Sequence, residues 1–534
     1  MNNDPFWYKD AVFYQVYVRA FRDSNGDGHG DLRGLTEKLD YLKALDVDCL
    51  WLMPIYPSPL LDDGYDISDF YRIANTFGTE DEFRGLIQDA HRRGIRIIMD
   101  LVLNHTSDQH PWFQAARADR NSPYRDYYVW SDSDQKYKGT RIIFLDVEPS
   151  NWTWDEQAGQ YYWHRFYASQ PDLNYDNPKV QEEMIDVARF WLDLGIDGFR
   201  ADAVPYLFER EGTNCENLPE THAYLRKMRT FMDKHYPGRI LLCEANQWPE
   251  DVRPYFGDGD EFHMGFHFPI MPRIYMALKK GRADDMIDIL NCTPSIPQTC
   301  QWCVFLRNHD ELTLEMVTEE ERQWMWENYA PEQRMRLNLG IRRRLASILD
   351  NDCRKIKLAH SLLFTLPGSP ILYYGDEIGM GDDIRLPDRN GVRTPMQWDT
   401  GPASGFSDAP AELLYSPVVD DVVYEPSRVN VESQINQPGS LWHTIRQMIA
   451  VRKKYQCFGR GEFEWVDVGT NAVAAYQRQY ENDIMLALHN LGNESVDVRI
   501  TRNAVDVLSG ENFPHGMLSL APLQYRWLLN HRLE

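Results

Sequence analysis

The sequence predicts an α/β fold in which eight buried strands alternate with amphipathic helices. Short apolar, β-branched runs recur along the first 455 residues, and segments with helical periodicity lie between most of them. After about residue 460 the pattern changes to period-two alternation. Strands that alternate with helices form parallel sheets, and eight such units are typical of a closed (β/α)8 TIM barrel. Period-two alternation instead predicts a C-terminal antiparallel β-domain.

The candidate strands are spaced so that a helix fits between most of them. They are rich in Val, Ile, Tyr and Phe, as strands buried on both faces are. In chain order they cover residues 11–18, 49–56, 95–104, 195–204, 239–246, 263–269, 300–308 and 369–379. Clear helical patterns lie at 79–94 and 179–195, and a last helix at 440–455 should complete the barrel.

Three stretches depart from this alternation. Residues 106–178 are rich in Trp, Tyr, Pro and Asp and predict an inserted subdomain after the third strand. Residues 309–350 predict a charged, helical excursion after the seventh strand, and 399–439 predict a long loop. The predicted domains are a first barrel part (1–105), the inserted subdomain (106–178), a second barrel part (179–455) and a C-terminal β-sandwich (456–534).

Charge and composition exclude several classes of function. The formal net charge is −25 over 534 residues, which argues against nucleic acid or an anionic membrane as a partner. No secretory signal is predicted, and no apolar run approaches the roughly 18 residues of a membrane span. Cys300 and Cys303 form a lone CxxC without the second ligand pair of a zinc site. We expect reduced thiols in a cytoplasmic protein.

Polar residues follow four of the predicted strands, at the ends where such barrels carry their chemistry. A single residue of this kind is more often a helix cap or a surface charge. Six of them at four strand ends predict one site with three carboxylates, two histidines and an arginine. They are His105, Arg200, Asp202, Glu244, His309 and Asp310.

Two carboxylates at neighbouring strand ends are the pair that glycoside chemistry requires. One carboxylate attacks the anomeric carbon, and the other group protonates the departing oxygen. Retention of configuration requires the two groups to lie roughly 5–5.5 Å apart.

These residues stand in motifs that resemble the α-amylase family of retaining glycoside hydrolases and transglycosylases. The motifs are DLVLNH, GIDGFRAD, LLCEAN and FLRNHD, together with QPDLNYDNP, and the resemblance spans residue 6 to about 455. It implies that Asp202 is the nucleophile and Glu244 the general acid/base. It also implies that Asp310 holds the substrate ring and stabilises the transition state, with no cofactor needed for the chemistry.

The resemblance further implies the residues that bind the sugar. Arg200 would orient Asp202 and keep it ionised. His105 and His309 would bind hydroxyls next to the cleaved bond. The remaining implied contacts are Asp62 and Tyr65 at the closed end of the pocket, and Phe144, Phe166 and Gln170 in the inserted subdomain.

The segment DSNGDGHGD, residues 23–31, places acidic or amide oxygens at alternating positions. An EF-hand carries a glutamate at its twelfth position, but here that position is Gly34. The resemblance implies a structural calcium ion held by Asp23, Asn25, Asp27, the carbonyl of His29, and Asp31. The alternatives are magnesium in place of calcium, or an acidic turn without a metal.

A second possible cation site joins the barrel to the inserted subdomain. The ligands implied by the resemblance are Asn104, Asp172, the carbonyls of Tyr206 and Leu207, and Glu209. The alternative is that Asn104 and Asp172 hydrogen-bond to the backbone.

Longer segments around the catalytic strand ends resemble the branch of this family that isomerises maltose to trehalose. They cover residues 206–229, 244–273, 305–321, 337–352 and 386–398. The implied reaction passes through a covalent glucosyl-enzyme, with minor hydrolysis to glucose. The freed glucose must turn within a closed pocket that excludes water.

Such a pocket needs a gate. We hypothesise that Arg393 reaches across the mouth to a carboxylate such as Glu320. The alternative is an ordinary surface ion pair, which contributes little.

Two other functions stay open. A hydrolase of maltose or short α-glucans has the same three acids and differs only in water exclusion. A non-catalytic relative would lack the acids, yet Asp202, Glu244 and Asp310 are all present. The resemblance also implies a homo-oligomer, either a dimer or a tetramer, and some relatives associate with a maltokinase.

Overall fold

Eight parallel strands close into a barrel at the centre of the computed structural model, which describes residues 4–531. Each strand pairs with its neighbours in the chain, and the last pairs with the first. The predicted (β/α)8 barrel is confirmed. The strands are β1 (Phe13–Val16), β2 (Cys49–Leu52), β3 (Arg96–Val102), β4 (Gly198–Asp202), β5 (Ile240–Cys243), β6 (Met264–Phe266), β7 (Gln301–Phe305) and β8 (Ser369–Tyr373).

The strands are shorter than the apolar runs that predict them. After β2, for example, Met53, Ile55 and Tyr56 stay fully buried although they have left the ladder. The ring of Tyr56, for instance, packs against Trp191 of the helix over residues 178–194. Burial therefore extends the sequence pattern beyond the hydrogen-bonded strand.

The barrel helices begin and end at residues that the sequence marks. Glu80–Arg92 begins after Thr79, which forms a capping box with Glu82. Pro178–Leu194 has proline at its first position and ends at Gly195, whose φ of 110° is left-handed. The other long barrel helices are Pro219–His235, Ile270–Lys280, Asp284–Cys292, Cys353–Thr365 and Leu441–Lys454.

The inserted segment after β3 contains a helix and a small sheet. The helix is Pro111–Ala118, and the antiparallel sheet consists of Trp130–Ser131, Trp152–Asp155 and Gln160–Trp163. A bridge between His105 and Asp172 ties the end of this segment back to the end of β3.

The segment after β7 was predicted to be helical, and this prediction is only partly correct. Helix Glu319–Tyr329 is present, but the short strands Leu312–Thr313, Arg336–Leu337 and Gly340–Ile341 form a three-stranded sheet around it. Strands of two residues are too short to show period-two alternation, so the sequence could not reveal them. The loop predicted at 399–439 also contains the short helix Val431–Asn436.

The C-terminal segment forms a six-stranded and a two-stranded antiparallel sheet, which confirms the predicted β-domain. Apolar side chains such as Leu488, Val498 and Leu528 are buried between them. Trp527 is fully buried against the barrel, where its Nε1 donates to Ser361 Oγ at 2.8 Å. This tryptophan therefore anchors the domain and is not a platform for sugar. The domain boundaries stay a prediction, and residues 532–534 of the last one lie outside the described range.

Within residues 4–531, the helices are all too short or too polar to cross a membrane.

Trp527→Ala should destabilise the protein by about 3–5 kcal/mol, because it removes a fully buried indole and its hydrogen bond to Ser361. Guanidinium unfolding followed by circular dichroism measures the change. Trp154→Ala is the matched control, since this ring is 44% exposed and its loss should change stability by only about 0.5 kcal/mol. Equal unfolding midpoints for the two variants would contradict the anchoring role.

Candidate active site

A pocket opens at the carboxyl ends of the barrel strands, below the inserted subdomain. Its empty space, counted with the open mouth, is about 850 Å³, which suits a small ligand. The predicted site residues that line it are Asp62, Tyr65, His105, Phe144, Phe166, Asp202, Glu244 and Asp310. The structure thus brings the three predicted catalytic acids to one cavity.

One buried guanidinium joins two of these acids. Arg200 on β4 is 1% exposed, its Nη1 lies 2.6 Å from Asp202 Oδ1, and its Nη2 pairs with Glu244. Asp202 ends β4 and Glu244 follows β5, so two paired strands bring them together. Asp100, opposite Arg200 in the β3–β4 ladder, lies 2.5 Å from the same Nη1. Arg200 is therefore fixed from the adjacent strand and in turn fixes both carboxyl groups.

The two carboxyl groups have different proton affinities. Burial is the largest effect on each and raises the pKa, while the charge of Arg200 opposes it. The pKa of Asp202 is raised to about 6, and that of Glu244 to about 8, where the negative charges of Asp202 and Asp310 add to the effect of burial. At pH 7 Asp202 is ionised and Glu244 is protonated. This is the combination of nucleophile and acid that retaining glycoside chemistry needs.

Asp310 is held in its ionised form by three neighbours. Arg389 Nη1 and Arg393 Nη2 lie 2.8 and 3.1 Å from its Oδ1, and His309 Nε2 lies 3.1 Å from its Oδ2. Burial would raise the pKa of Asp310, but these neighbours outweigh it and hold the pKa well below its ordinary value. Burial lowers the pKa of His309 to about 4, so at pH 7 the neutral ring acts on Asp310 as a hydrogen-bond donor.

Several predicted sugar contacts lie one layer behind the pocket surface. His309 stacks on Tyr65 with ring centroids 5.3 Å apart, and its Nδ1 lies 2.7 Å from Gln15 Nε2. Gln170 Nε2 donates to Asp62 Oδ2 at 3.0 Å. Like Arg200, His309 and Gln170 support the pocket wall and are not among its lining residues.

His105 does face the cavity. Its Nε2 is buried and has no hydrogen-bond partner within residues 4–531. Burial lowers the pKa of His105 to about 3, so the ring is neutral. A neutral imidazole nitrogen turned into a pocket is suited to a sugar hydroxyl.

Arg393 does not form the predicted gate, which is a correction. It is 1% exposed, its Nη1 lies 2.5 Å from Asp63 Oδ2, and its Nε donates to the carbonyl of His309 at 2.8 Å. Glu320 lies exposed in the first turn of helix Glu319–Tyr329. Arg393 is a buried support beneath Asp310, so it does not reach the mouth.

A different ion pair connects the inserted subdomain to the segment after β7, whose Glu315 lines the pocket. Arg141 in the inserted subdomain places Nη1 2.6 Å from Glu315 Oε2, in the segment after β7. Its Nη2 lies 3.1 Å from the hydroxyl of Tyr206, and its Nε 2.8 Å from Glu216, both in the loop after β4. One guanidinium therefore joins three segments that each contribute residues to the pocket wall.

Arg389 is the main functional residue that the sequence analysis missed. Its Nη2 lies 2.6 Å from Asp62 and its Nη1 2.8 Å from Asp310, so it bridges the closed end of the pocket. It stands four residues before Arg393 in the segment LPDRNGVRTPMQW, which offered two arginines without indicating which one faces the cavity. The other unpredicted lining residues include Asn246, Phe268, Asn308, Glu311, Thr313 and Glu315.

The acidic loop at 23–31 is organised by its own hydrogen bonds. Asp23 accepts four hydrogen bonds, three from backbone N–H groups of the loop and one from a hydroxyl. Asn25 and Asp27 each accept one from a residue two positions ahead, the latter from His29, and Asp31 caps helix Leu32–Glu37. No cluster of three or more His, Cys, Asp or Glu side chains suited to a metal occurs among the described residues. The structure describes the loop as a hydrogen-bonded acidic turn, and a calcium or magnesium ion at Asp23, Asn25, Asp27, the carbonyl of His29, and Asp31 stays a prediction.

The second proposed cation site fits better. Asn104 Oδ1, Asp172 Oδ2 and Glu209 Oε1 are buried oxygens without a hydrogen-bond partner in the described part of the chain. Burial raises the pKa of Asp172 to about 8 and that of Glu209 well above its ordinary value, to which the nearby Asp172 adds. The site pairs two carboxyl groups with an amide, so a hard cation would satisfy all three oxygens. Tyr206 and Leu207, whose carbonyls are the other predicted ligands, precede Glu209 by three and two residues. The side chain of Tyr206 also lines the pocket.

Comparison with known proteins agrees with this architecture. The family model of the α-amylase catalytic domain matches residues 15–461. The trehalose synthase/amylase of Mycolicibacterium smegmatis is 59% identical over 501 residues, which cover 91% of this chain and 84% of that protein. The trehalose synthase of Pimelobacter sp. is 53% identical over 533 residues, covering 96% of this chain and 93% of that protein.

A solved structure shows the same fold. The isomaltulose synthase of Klebsiella sp. LX3 superposes with a TM-score of 0.80 at 28% identity, covering 98% of this chain and 99% of that one. Since the family model spans most of the sequence and these relatives are more than half identical to it, the chain belongs to the α-amylase family.

Proposed function

We propose that this chain isomerises maltose to trehalose by exchanging an α-1,4 bond for an α,α-1,1 bond with net retention. The observation that carries the proposal is the single Arg200 that holds an ionised Asp202 and a protonated Glu244 at one cavity. Relatives named trehalose synthase, at 53–59% identity, support the choice of substrate.

In the first step, a carboxylate oxygen of Asp202 attacks the anomeric carbon of the non-reducing glucose. Glu244 gives its proton to the departing 4-oxygen, so that a glucosyl ester and free glucose are formed. The glucose then turns, and the oxygen of its anomeric hydroxyl attacks the anomeric carbon of the glucosyl ester. Glu244, now ionised, takes the hydroxyl proton as the bond to Asp202 breaks. Both groups return to their starting forms, and nothing is consumed.

The closed end of the pocket would hold the transferred ring. Asp62 and Asp310 are bridged by Arg389, which supports their joint role as acceptors for ring hydroxyls. His105 Nε2 offers one further polar contact, and Tyr65 a flat surface against the sugar. Because Asp310 stays ionised, it can stabilise positive charge that develops on the ring in the transition state.

Water exclusion would decide between isomerisation and hydrolysis. The Arg141 guanidinium joins all three rim segments, and Asn246 Nδ2 donates to Thr313 Oγ1 at 3.0 Å beside it. The Arg141 and Glu315 side chains are 37% and 16% exposed, so their pairing contributes only about 1 kcal/mol or less. A contact of this strength is compatible with opening for each substrate exchange.

Incubation of the purified chain with maltose and ¹³C-labelled free glucose tests the function. Unlabelled trehalose as the main product, read by NMR and mass spectrometry, is the result expected of a closed pocket. Labelled trehalose would show that the glucose escapes and exchanges. Glucose alone would make the chain an α-glucosidase and contradict the proposal. Asp202→Asn, which lacks the nucleophile, is the inactive control.

The rate should depend on pH with two limits. Asp202 must be ionised, so kcat/KM falls below about pH 6 as this group gains a proton. Glu244 must be protonated, so kcat/KM also falls above about pH 8 as it loses its proton. Initial rates of trehalose formation, measured from about pH 4.5 to about pH 9.5, check both limits.

Glu244→Gln separates the two limits. This variant should lower kcat by about 10²–10⁴-fold and lose the decline at high pH, because the amide does not titrate there. A high-pH decline that persists in this variant would show that another group causes it. The apparent values belong to the coupled pair of carboxyl groups.

We also propose that a calcium or magnesium ion binds Asn104, Asp172 and Glu209 and ties the inserted subdomain to the barrel. Treatment with EDTA should then lower the thermal midpoint by several degrees, roughly a 1–2 kcal/mol effect, and added Ca²⁺ should restore it. Differential scanning calorimetry measures the shift.

Two variants distinguish the candidate cation sites. Glu209→Gln should abolish the response to Ca²⁺, whereas Asp27→Asn in the acidic loop should leave it unchanged. A response lost only in Asp27→Asn would assign the ion to the acidic loop. A wild-type chain whose thermal midpoint changes with neither EDTA nor Ca²⁺ would exclude a stabilising ion.

Self-association into a dimer or tetramer, association with a maltokinase, and a cytoplasmic location stay predictions.

A further inference from the structure

Arg342 lies outside the pocket, yet its guanidinium holds the loop that carries Arg389. Its Nε donates to the carbonyl of Arg334 at 2.6 Å, within the excursion after β7. The other acceptors belong to the loop after β8 and are the carbonyls of Ile384 (3.3 Å), Leu386 (2.6 Å) and Asp388 (2.7 Å). One side chain thus connects two segments that are separate in the chain.

The residue directly before Arg389 has an unusual backbone. Asp388 has a φ of 46°, in the left-handed region that non-glycine residues rarely adopt. Its carbonyl is one of the Arg342 acceptors, and its Oδ1 accepts from Arg389 Nε at 3.2 Å. Strained backbone of this kind persists only where surrounding contacts impose it.

The strained residue sets the direction of a pocket side chain. From this position Arg389 reaches Asp62 with one nitrogen and Asp310 with the other, at 2.6 and 2.8 Å. A change in the backbone at Asp388 would move the start of the Arg389 side chain and break one or both contacts. The closed end of the pocket therefore depends on how the 384–388 loop is held.

We propose that Arg342 is a positioning residue for the ring-binding end of the pocket. It holds Asp388 in its left-handed conformation and thereby directs Arg389 between Asp62 and Asp310. This role rests on the proposed function, because it deepens the assignment of that end of the pocket to the transferred glucose. Lysine cannot replace Arg342, because an ammonium group is a point charge and lacks the planar fork that spans several carbonyls.

The test measures binding at this end of the pocket without turnover. Isothermal titration with 1-deoxynojirimycin, a glucose-shaped iminosugar, gives its Kd for the wild type, Arg342→Lys and Arg342→Ala, and maltose KM and kcat are measured alongside. We expect Kd to rise by about tenfold in both variants, the loss that one charge-assisted hydrogen bond predicts. Arg428→Lys, the same exchange at an exposed site of the long loop, is the control that should bind as the wild type does.

Asp388 provides a second test that does not depend on Arg342 variants folding. Asp388→Gly and Asp388→Ala both lose the contact to Arg389 Nε, but only glycine accepts the left-handed φ without steric conflict. We expect the alanine variant to bind the iminosugar more weakly than the glycine variant.

Two results would overturn the proposal. They are an unchanged Kd in both Arg342 variants, or equal Kd values for Asp388→Gly and Asp388→Ala. Because iminosugar binding needs no turnover, these outcomes are independent of whether the chain converts maltose to trehalose or only to glucose.

Discussion

The chemistry of this pocket depends on an excess of carboxyl groups over positive charge: three carboxyl groups contact Arg200. Three buried carboxyl groups, those of Asp100, Asp202 and Glu244, share that one guanidinium. Burying a carboxylate without a partner is costly, so at least one group must keep its proton. The proton stays on Glu244, whose pKa is raised to about 8, while Asp100 and Asp202, with pKa values raised to about 6, ionise first. The acid and the nucleophile are therefore set by one unbalanced cluster.

On the opposite side of the pocket, two guanidinium groups contact Asp310. Asp63 and Asp310 meet Arg393, and Asp310 also meets Arg389. Burial opposes ionisation here too, but Arg393 at Asp63, and His309 with both arginines at Asp310, hold the pKa values of these two carboxyl groups below their ordinary range. Burial raises the pKa of the neighbouring Asp62. One cavity thus keeps a proton donor on the side with a single guanidinium and a permanent negative charge on the side with two. Retaining chemistry on a sugar ring requires both kinds of group at once.

The buried charge pairs of the pocket and its partly exposed charge pair also lie in different places. The supports beneath the pocket, such as Arg200 and Arg393, are almost fully buried and bind carboxylates through short contacts. The contact from Arg141 to Glu315 is partly exposed and joins segments after β3 and after β7. Buried charge pairs are strongly destabilised by loss of one partner, whereas exposed pairs contribute little. A fixed base and an opening that can be released are what a reaction with a trapped intermediate requires.

The sequence alone determined the barrel and its principal acids. Alternation of strands and helices predicts a parallel barrel, and the carboxyl ends of its strands place Asp202, Glu244 and Asp310 together by topology. Local pattern also indicated the C-terminal β-domain. Only the tertiary structure decided that Arg389 bridges Asp62 and Asp310, and that Arg141 links the inserted subdomain to the segments after β4 and β7. Arg389 and Asp62 are 327 residues apart, and packing across such a separation leaves no local pattern in the chain.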